Sequence, residues 1–463
     1  MSSPVIPISL SRIAILCAAA LTSTTAATAQ LPGDDKAKAP PPLEIDGLVG
    51  TPIDIQSVSA TIVFDLEKQE ARTTATMVFE MTADGMPLFD LRQDIDRATF
   101  NGEMIDVEQL AQHNPGRTSG PIRILEIEAK AGETHTLELQ YLLKKPQSPQ
   151  AIDIGWGENT LDWDFFFSDL NNGRYLEMWF PANLLFDRHA TDVEFSITGT
   201  DVAHSIVTNG ASEELGPLHW KIQFPAHFTA FSAMLVVIPT ERIERKESTF
   251  KLPNGDKVTM DIIVRDDAGV TLKQVGKQTA SDIQEFHKSM GPWPHGDKVT
   301  VFVWSGSRSM EYDGATTTAM GALRHELHHS WFGRGVKPQN QNAGWWDEAW
   351  TVYHSDGGFE RVGRDAGKEA SPTHLVHSSI WNRTTPGTSY GKGAVLFGRV
   401  AKLIGHKDLV KHMSSFYTQN ALQVATTEDL INHLVKESGE EEIRQVFHRY
   451  CYGHEGRYDD ASE

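Results

Sequence analysis

The sequence predicts a multi-domain protein, with an all-β, sandwich-like domain over residues 44–243 and an α+β domain over residues 244–463. Three observations support this prediction. Short stretches in which apolar and polar residues alternate, separated by turn residues, run through the first region. A few more such stretches open the second region. Patterns of helical period then fill most of the remainder, and this separation of strands from helices is typical of α+β domains.

The first 43 residues predict export rather than a folded element. Residues 1–29 have the layout of a signal peptide, with Arg12 before a short apolar run over 13–21 and an A-x-A cleavage motif at the end. An uncleaved anchor is the alternative. Residues 30–43 are rich in proline and polar side chains, which predicts a disordered linker. We therefore expect a periplasmic or secreted protein that has no membrane span after cleavage.

The composition narrows the classes of partner and the means of stabilisation. The formal net charge is −20, from 62 acidic and 42 basic residues, which disfavours nucleic acids and anionic membrane surfaces as partners. Of the 2 cysteines, Cys451 alone remains once the signal peptide is removed. The mature chain is thus expected to fold without an intramolecular disulfide and to depend on its apolar cores.

Individual strand predictions in the first region rest on alternation and on β-branched residues. They cover residues 57–66, 73–81, 135–143, 192–197 and 233–238. In the second region, a hairpin is predicted around Asn254 and Gly255, and a strand over residues 298–304. Helices are predicted over residues 269–289, 392–404, 427–438 and 440–451.

The motif HExxH, formed by His325, Glu326 and His329, decides the chemistry expected of the second region. On a helix the two histidines lie about 40° apart around the axis, so both imidazoles reach one zinc ion. Glu348 follows after eighteen intervening residues and provides a third protein ligand, which leaves one coordination position open. Glu326 lies on the same broad face, where it takes a proton from zinc-bound water.

An amphipathic helix with solvated charges is the alternative explanation of this motif. The flanking residues argue against it, because the stretch 318–332 and the tryptophan-rich stretch 345–351 are apolar enough to be buried. Buried charges need a partner or a metal ion. His328 lies off the face shared by His325 and His329, so it is expected to pack in the interior or to support the ligands.

Four motifs in order carry a resemblance to a known family. They are SMEY at Ser309–Tyr312, HELHHSWFG, WWDEAWT, and the YGKG that begins at Tyr390. Together they resemble the aminopeptidase N family of gluzincin metallopeptidases, which includes alanyl aminopeptidases and the leukotriene hydrolase. The resemblance covers the order of the domains and is sharp between about 304 and 395. It implies a thermolysin-like catalytic domain after the β domain.

The resemblance implies the same metal centre as the spacing does. His325, His329 and Glu348 look like the ligands of one Zn²⁺ per chain, and Glu326 looks like the general base. Tyr390 resembles the tyrosine whose hydroxyl stabilises the transition state.

The resemblance also implies how the substrate is bound. Glu311, with Met310 beside it, matches the residue that binds the free α-amino group of a peptide. Glu177 in the β domain is similar to a residue that assists it. The chain departs from the family pattern here, because G-x-M-E-N becomes S-M-E-Y and loses the glycine and the final asparagine. The large C-terminal helical domain of longer members has no counterpart, so we expect a short form whose site is more open or is covered by dimerisation.

The sequence thus predicts a zinc-dependent aminopeptidase that removes N-terminal residues from peptides with a free N-terminus. A gluzincin endopeptidase and a glycyl-aminopeptidase-like enzyme are alternatives that share the zinc motif. A non-catalytic peptide-binding protein stabilised by zinc is a more remote alternative.

Overall fold

The structure is a computed structural model, and the residues it describes exclude both chain ends. They are residues 39–116, 120–145, 153–170, 175–183, 187–306, 308–339, 343–357, 362, 372–376 and 384–453. The predicted signal peptide, residues 1–29, lies outside the described residues, as does most of the predicted linker over 30–43. Among the described helices, none combines the length and the apolar character needed to cross a bilayer.

Strands β1 to β16 form the first part of the fold. In chain order they are β1 Leu43–Ile45, β2 Leu48–Asp65, β3 Glu70–Met81, β4 Met86–Phe89, β5 Arg97–Phe100, β6 Glu103–Ile105, β7 Gln112–His113, β8 Ile122–Ile124, β9 Thr134–Leu143, β10 Gly155–Trp156, β11 Leu161–Asp164, β12 Ala190–Thr198, β13 His204–Thr208, β14 Ala211–Gly216, β15 His219–Phe224 and β16 Leu235–Pro239. Short 3-10 turns lie at Val107–Leu110, Leu176–Met178 and Thr240–Arg242. The alternating sequence accounts for the strands, since β3 buries every second residue from Ala71 to Met81.

These strands form two sheets that share one apolar core. The larger sheet has the order β14-β15-β12-β2-β3-β9-β5-β6, with β1, β4, β7 and β8 paired off this path, and the smaller has the order β10-β11-β16-β13. Trp163 of the smaller sheet contacts Phe64 and Phe195 of the larger one, with ring centroids 5.1 and 6.2 Å away. The prediction of an all-β, sandwich-like region is therefore confirmed.

A second mixed sheet opens the second part of the described chain. Its strands are β17 Ile243–Lys251, β18 Lys257–Arg265, β19 Lys298–Val303, β20 Met310–Tyr312 and β21 Ala315–Thr318, in the order β17-β18-β19-β21-β20. The predicted hairpin is present, because β17 pairs antiparallel with β18 and Gly255 takes a φ of 96° in the turn. Strand β20 is an antiparallel edge strand, which leaves one of its sides free of strand pairing.

Helices make up most of the remaining described chain. They are α1 Leu272–Met290, α2 Leu323–His328, α3 Trp345–His354, α4 Ala394–Ile404, α5 His406–Asn420, α6 Thr427–Ser438 and α7 Glu442–Cys451. Strands β22 Lys337–Pro338 and β23 Val424–Ala425 form a short parallel pair. Helix α1 begins with a capping box between Thr271 and Gln274 and ends at Gly291. The α+β prediction for this region is confirmed.

Helix α5 was not among the sequence predictions, although its signal was present. Its buried residues include Leu409, Met413 and Phe416, which recur at helical spacing. They pack into a second apolar core, which the helices form with strands β18 and β19. Only Gly405 separates this helix from α4. The periodic segment therefore extended the helical pattern without a clear boundary between the two helices.

The two parts meet along the edge strand β20. The first core extends from the β-sheets to Met310 and Tyr312 of that strand. The ring of Phe167, which follows β11, lies 6.0 Å from the ring of Tyr312. The strand that carries the predicted amine-binding residue is therefore packed against the β region. The domain limits at 44–243 and 244–463 stay predictions, since residues 33–463 form one compact unit by their contacts.

Candidate metal centre and substrate cavity

Helix α2 holds the two histidines of the HExxH motif side by side. His325 and His329 have ring centroids 4.8 Å apart. Their side chains are 17% and 1% exposed, so the pair lies at the boundary between a cavity and the core. Leu323 and Leu327 of the same helix are buried in the second core, which explains why the polar face turns towards the cavity.

Helix α3 brings Glu348 to these histidines. The Oε2 atom of Glu348 lies 3.1 Å from Nε2 of His325 and 3.5 Å from Nε2 of His329. The candidate donor atoms of the three residues all lie within 4.8 Å of one another. Trp345, Trp346 and Trp350 anchor α3 in the core with no exposed surface. The spacing argument and the three-dimensional arrangement therefore select the same three residues.

Two carboxylates that sequence reasoning missed fix the orientation of the imidazoles. Nδ1 of His325 donates to Oδ2 of Asp356 at 2.9 Å, and Nδ1 of His329 donates to Oδ1 of Asp347. Both rings consequently direct Nε2 towards Glu348. Histidines that bind zinc commonly have a carboxylate on the second ring nitrogen. Asp347 directly precedes Glu348, so its position in the motif was a usable signal.

The donor set fits a zinc ion. Nε2 of His329 is buried and has no hydrogen-bond partner among the described residues, which is unfavourable unless a ligand binds there. Burial alone would lower the pKa of His329, but the charges of Asp347 and Glu311 outweigh it and raise that pKa to about 10. The same excess of negative charge also favours the binding of a cation beside His329. Two imidazole nitrogens and one carboxylate match a catalytic zinc site.

Glu326 lies next to this centre and lines the cavity. It is 7% exposed. One of its carboxylate oxygens, a carboxylate oxygen of Glu311 and a ring nitrogen of His329 all lie within 4.8 Å of one another. Burial raises the pKa of Glu326 to about 8, with a further contribution from Glu311, whereas His325 opposes the shift. A cation bound nearby would lower this pKa again. The structure thus brings the predicted general base to the predicted ligands.

A π-helical turn, Ser389–Gly393, brings Tyr390 to the other side of Glu348. The hydroxyl of Tyr390 donates to Oε1 of Glu348 at 2.6 Å. Gly393 allows this turn to pack closely on α3, because a Cβ there would overlap that of Ala349. Burial, together with the charges of Asp169 and Glu348, raises the pKa of Tyr390, so the phenol stays protonated.

Glu311 and Met310 lie on β20 and line the same cavity. Glu311 is 3% exposed and accepts a hydrogen bond from Nη2 of Arg334 at 3.2 Å. The guanidinium of Arg334 also lies 3.8 Å from Oδ2 of Asp347 and 4.0 Å from the ring centroid of Phe231. Arg334 therefore contacts the predicted amine-binding carboxylate, the carboxylate that orients His329, and the β region. Sequence reasoning did not single it out.

The β region contributes Asp169 to the cavity, which sequence reasoning also missed. Asp169 is 6% exposed and lines the cavity beside Ser168 and Leu170. Burial and the charges of Glu348 and Glu311 raise its pKa well above the usual range. A single aspartate in an aromatic stretch has no distinctive local pattern. Only the fold reveals its position.

Glu177 lies elsewhere in the β region. It belongs to the 3-10 turn Leu176–Met178, is 1% exposed, and its carbonyl oxygen accepts from the backbone N–H of Arg92 at 2.8 Å. It is not among the described residues that line the cavity. Its role in amine binding stays a prediction.

His328 packs away from the cavity, as expected. Its Nδ1 hydrogen-bonds to Oγ1 of Thr351 at 2.9 Å and its Nε2 to Nδ1 of His354 at 3.0 Å. Both partners lie on α3, so His328 fixes α2 against the helix that carries Glu348.

The cavity has a volume of about 780 Å³, which is within the usual range for small-molecule and peptide-end binding sites. The predicted site residues that line it are His325, Glu326, Glu348, Glu311, Met310 and Tyr390. The structure therefore assembles six of the eight predicted site residues on the walls of one cavity. His329 lies directly behind them as the third member of the metal group.

Comparisons with known proteins concern the fold. The sequence matches no protein-family model and no curated protein. The M1 zinc metallopeptidase of Deinococcus radiodurans is 17% identical over 88% of this chain and 94% of its own, with a TM-score of 0.62. A mutant M1 zinc metallopeptidase from Deinococcus radiodurans, bound to a Tyr-Ser-Ala substrate, is 17% identical over 86% of this chain and 94% of its own, with a TM-score of 0.61.

Aminopeptidase A of Legionella pneumophila, in complex with aspartic acid, is similar over a smaller share of its length. It is 13% identical over 86% of this chain and 49% of its own, with a TM-score of 0.64. These likenesses span both the β region and the helical region. The described chain therefore has the fold of the M1 zinc metallopeptidases.

Proposed function

We propose that this chain is a zinc-dependent aminopeptidase that hydrolyses the N-terminal residue from peptides. The observation that carries the proposal is the convergence of His325, His329 and Glu348, beside Glu311 on an edge strand of the same cavity. A zinc ion and an anionic group for a terminal amine would then meet in one cavity.

Proton transfer is assigned to Glu326. Zinc, when bound by the two histidines and Glu348, would lower the pKa of a coordinated water and polarise the substrate carbonyl. Glu326 is buried at the cavity wall, where it accepts the proton of the attacking water and delivers it to the leaving amine. A bound cation would lower the pKa that burial raises, which favours the carboxylate form that a general base requires.

Recognition of the chain end is assigned to Glu311, with Asp169 as a second acidic group. One side chain comes from β20 and the other from the β region, and both line the cavity. The substrate's α-ammonium would relieve the repulsion among the buried carboxylates there. Binding of that ammonium determines which peptide bond reaches the metal, so removal of single N-terminal residues follows from geometry.

Stabilisation of the oxyanion is assigned to Tyr390. Its hydroxyl lies 2.6 Å from the carboxylate of Glu348 and at the cavity wall, where it would donate to an oxyanion formed beside the metal ligands. Because the pKa of Tyr390 is raised, the hydroxyl is a hydrogen-bond donor at any neutral pH.

The alternatives receive less support from the same residues. An endopeptidase would need no anionic group for a terminal amine, whereas Glu311 and Asp169 both line the cavity. A structural zinc is normally closed by four protein ligands. The group formed by His325, His329 and Glu348 has three, and two of them, His325 and Glu348, line the cavity. The fold neighbours bound to a Tyr-Ser-Ala substrate and to aspartic acid also favour a peptidase.

The cellular setting is part of the proposal. We infer that the mature chain acts in the periplasm or outside the cell, on soluble peptides, with one Zn²⁺ per chain. The signal-like pattern of residues 1–29 supports export. The net charge of −20 supports the absence of nucleic acid among its partners.

A panel of fluorogenic aminoacyl substrates tests the proposed function. Zinc-loaded protein is expected to cleave free-amine substrates with a kcat/KM at least about 100-fold above that for their N-acetylated counterparts, since the amine site is left unpaired by a blocked substrate. A chelator should abolish the activity, and added zinc should restore it. Equal cleavage of free and blocked peptides would indicate an endopeptidase. A strong preference for glycyl substrates would favour the glycyl-aminopeptidase-like alternative, and zinc binding without any hydrolysis would favour the non-catalytic one.

The substitution Glu311→Gln tests the amine site directly. It removes a charge-assisted hydrogen bond to the ammonium, so kcat/KM for free-amine substrates should fall by roughly 10- to 100-fold. Zinc content should stay at one ion per chain, measured by metal analysis. Glu244→Gln, at an exposed position of β17, is the matched control and should leave kcat/KM unchanged. An unaltered ratio of free-amine to blocked cleavage in Glu311→Gln would refute the assignment.

A further inference from the structure

The cavity wall beside Glu311 carries a guanidinium that the proposed mechanism does not use. Arg308 lines the cavity three residues before Glu311. Arg308 lies two residues before the start of β20, and three residues of chain span at most about 10 Å, the length of two to three residues of a bound peptide. A peptide whose ammonium binds Glu311 therefore has its first few residues within reach of Arg308.

Arg308 has no carboxylate partner among the described residues. Its Nη2 atom donates to the carbonyl oxygen of Phe166, while its Nη1 atom is closed off from solvent and has no hydrogen-bond partner. Asp164 and Asp169 act on it electrostatically without forming an ion pair. Burial lowers the pKa of Arg308 to about 10, so the side chain remains a cation at neutral pH.

The other two guanidinium groups around the cavity are compensated. Arg324 also lines the cavity, and its Nη2 atom lies 2.7 Å from Oε1 of Glu285. Arg334 lies 3.2 Å from Oε1 of Glu311. A largely buried charge without a paired counter-charge is unfavourable. Arg308 lines the cavity without an ion pair among the described residues, so it is a candidate site for an anion.

The side chain of Arg308 is held in place by groups from both parts of the fold. Its Cζ atom lies 3.5 Å from the ring centroid of Phe166, in the β region. Phe166 itself has a φ of 52°, a left-handed conformation that a bulky residue adopts only under constraint from its surroundings. Trp304 contacts that ring and donates from Nε1 to the carbonyl oxygen of Arg308 at 2.9 Å. Arg308 is thus positioned before a ligand arrives, which favours selective binding.

We propose that the guanidinium of Arg308 binds a carboxylate of the substrate at the cavity wall. The carboxylate has two sources of the same chemistry, either the side chain of an acidic first residue or the C-terminus of a very short peptide. A planar guanidinium with free N–H groups suits a carboxylate in both cases. The inference rests on the proposed function, because Glu311 sets the position of the peptide end.

Two pairs of matched substrates test the inference, one pair for each source. The first pair is Glu-p-nitroanilide and Gln-p-nitroanilide, and the second is Ala-Ala and Ala-Ala-amide. In one of the two pairs, kcat/KM for the carboxylate member is expected to exceed that for its amide by roughly 10- to 100-fold. Arg308→Met should bring that ratio close to one, and Arg308→Lys should keep part of it. Thermal unfolding checks that each variant is folded.

Arg265 provides the matched control. It also stacks on Trp304, with Cζ 4.8 Å from the ring centroid, but it pairs with Asp267 and does not line the cavity. Arg265→Met should therefore leave the ratio within about twofold of the unsubstituted protein. The inference is wrong if neither substrate pair shows a preference for the carboxylate, or if the preference survives Arg308→Met.

Calorimetric binding separates this inference from the proposed function. Zinc-loaded protein should bind glutamate more tightly than glutamine, or Ala-Ala more tightly than Ala-Ala-amide, and Arg308→Met should remove the difference. If no free-amine substrate is hydrolysed but this binding difference is present, the proposed function fails and the inference stands. If neutral free-amine substrates are hydrolysed and the difference is absent, only the inference fails.

Discussion

His325 and His329 present Nε2 towards the candidate metal position because a carboxylate holds the opposite nitrogen of each ring. Asp356 and Asp347 are those carboxylates, and Asp347 is in turn 3.8 Å from Arg334. The HExxH spacing identifies the ligands, since it depends only on helix geometry. The supporting groups come from other segments. They were not identifiable from one local pattern, although the Asp-Glu pair at Asp347 and Glu348 was a partial signal.

Glu326→Gln is the residue-scale prediction. The amide preserves size and polarity but does not accept a proton, so kcat should fall by about 100- to 10,000-fold. Zinc binding should persist, because the substitution leaves His325, His329 and Glu348 in place. Steady-state kinetics and metal analysis on the same preparation measure both quantities. Turnover equal to that of the unsubstituted protein would refute the role of Glu326 as general base.

The short helix α2 and the turn after it position part of the site, and one glycine in that turn permits a close contact with Asp347. Helix α2 ends at His328, and the chain then turns back. Gly333 takes a φ of 102°, and a Cβ there would overlap the carboxylate of Asp347. The glycine therefore leaves room for the group that orients His329.

Asp187 provides the element-scale prediction, which concerns β2. The strand has a bulge between Ile55 and Ser57, and the backbone N–H of Ile55 donates to Oδ2 of Asp187 at 2.8 Å. Burial raises the pKa of Asp187 to about 8, above the value of about 4 expected when unfolded. The native state then binds the extra proton, so this contribution to stability is present at pH 4 and lost as the pH rises to 8.

The substitution Asp187→Asn mimics the protonated carboxyl group. The free energy of unfolding of the unsubstituted protein should decrease between pH 5 and pH 9 more than that of Asp187→Asn does. Urea unfolding at both pH values measures the difference. Parallel decreases in the two proteins would contradict the raised pKa of Asp187.

At the scale of the whole molecule, a buried polar network joins the β region to the region that carries the candidate site. Nζ of Lys337 donates to Oγ of Ser232 at 2.9 Å and to Oδ2 of Asp313 at 2.6 Å. Asn209 donates from Nδ2 to the carbonyl oxygen of Asp313 at 2.9 Å. Asp313 directly follows β20, which carries Glu311. The position of the predicted amine site therefore depends on the β region as well as on its own sheet.

Lys337→Met is the prediction at this scale. It leaves the carboxylate of Asp313 buried without its counter-charge, so the free energy of unfolding should decrease by about 3 to 5 kcal/mol. The double substitution Lys337→Met with Asp313→Asn removes the uncompensated charge and should recover part of the loss. Chemical unfolding of the three proteins provides the comparison. A loss below about 1 kcal/mol in Lys337→Met would contradict the structural role of the pair.

Local periodicity was sufficient for many of the longer elements, and residue spacing was sufficient to select the candidate metal ligands. The hairpin at Gly255, helix α1 and the five predicted strands of the β region, which correspond to β2, β3, β9, β12 and β16, follow from patterns within a few residues of each position. Helix α5 was missed because its pattern continues that of α4 across a single glycine. Patterns of this kind lie within one segment of the chain, so they can be recognised without knowledge of the fold.

The sequence by itself determined the order of the β and α+β regions, and it predicted the candidate metal ligands, the proposed general base and the carboxylate proposed for the amine. Only the tertiary structure decided which other groups meet them, namely Asp169, Arg308 and Arg334. Each of these is one charged residue without a local motif. Its relevance arises from contacts between segments far apart in the chain, and those contacts exist only once the two cores have packed against each other.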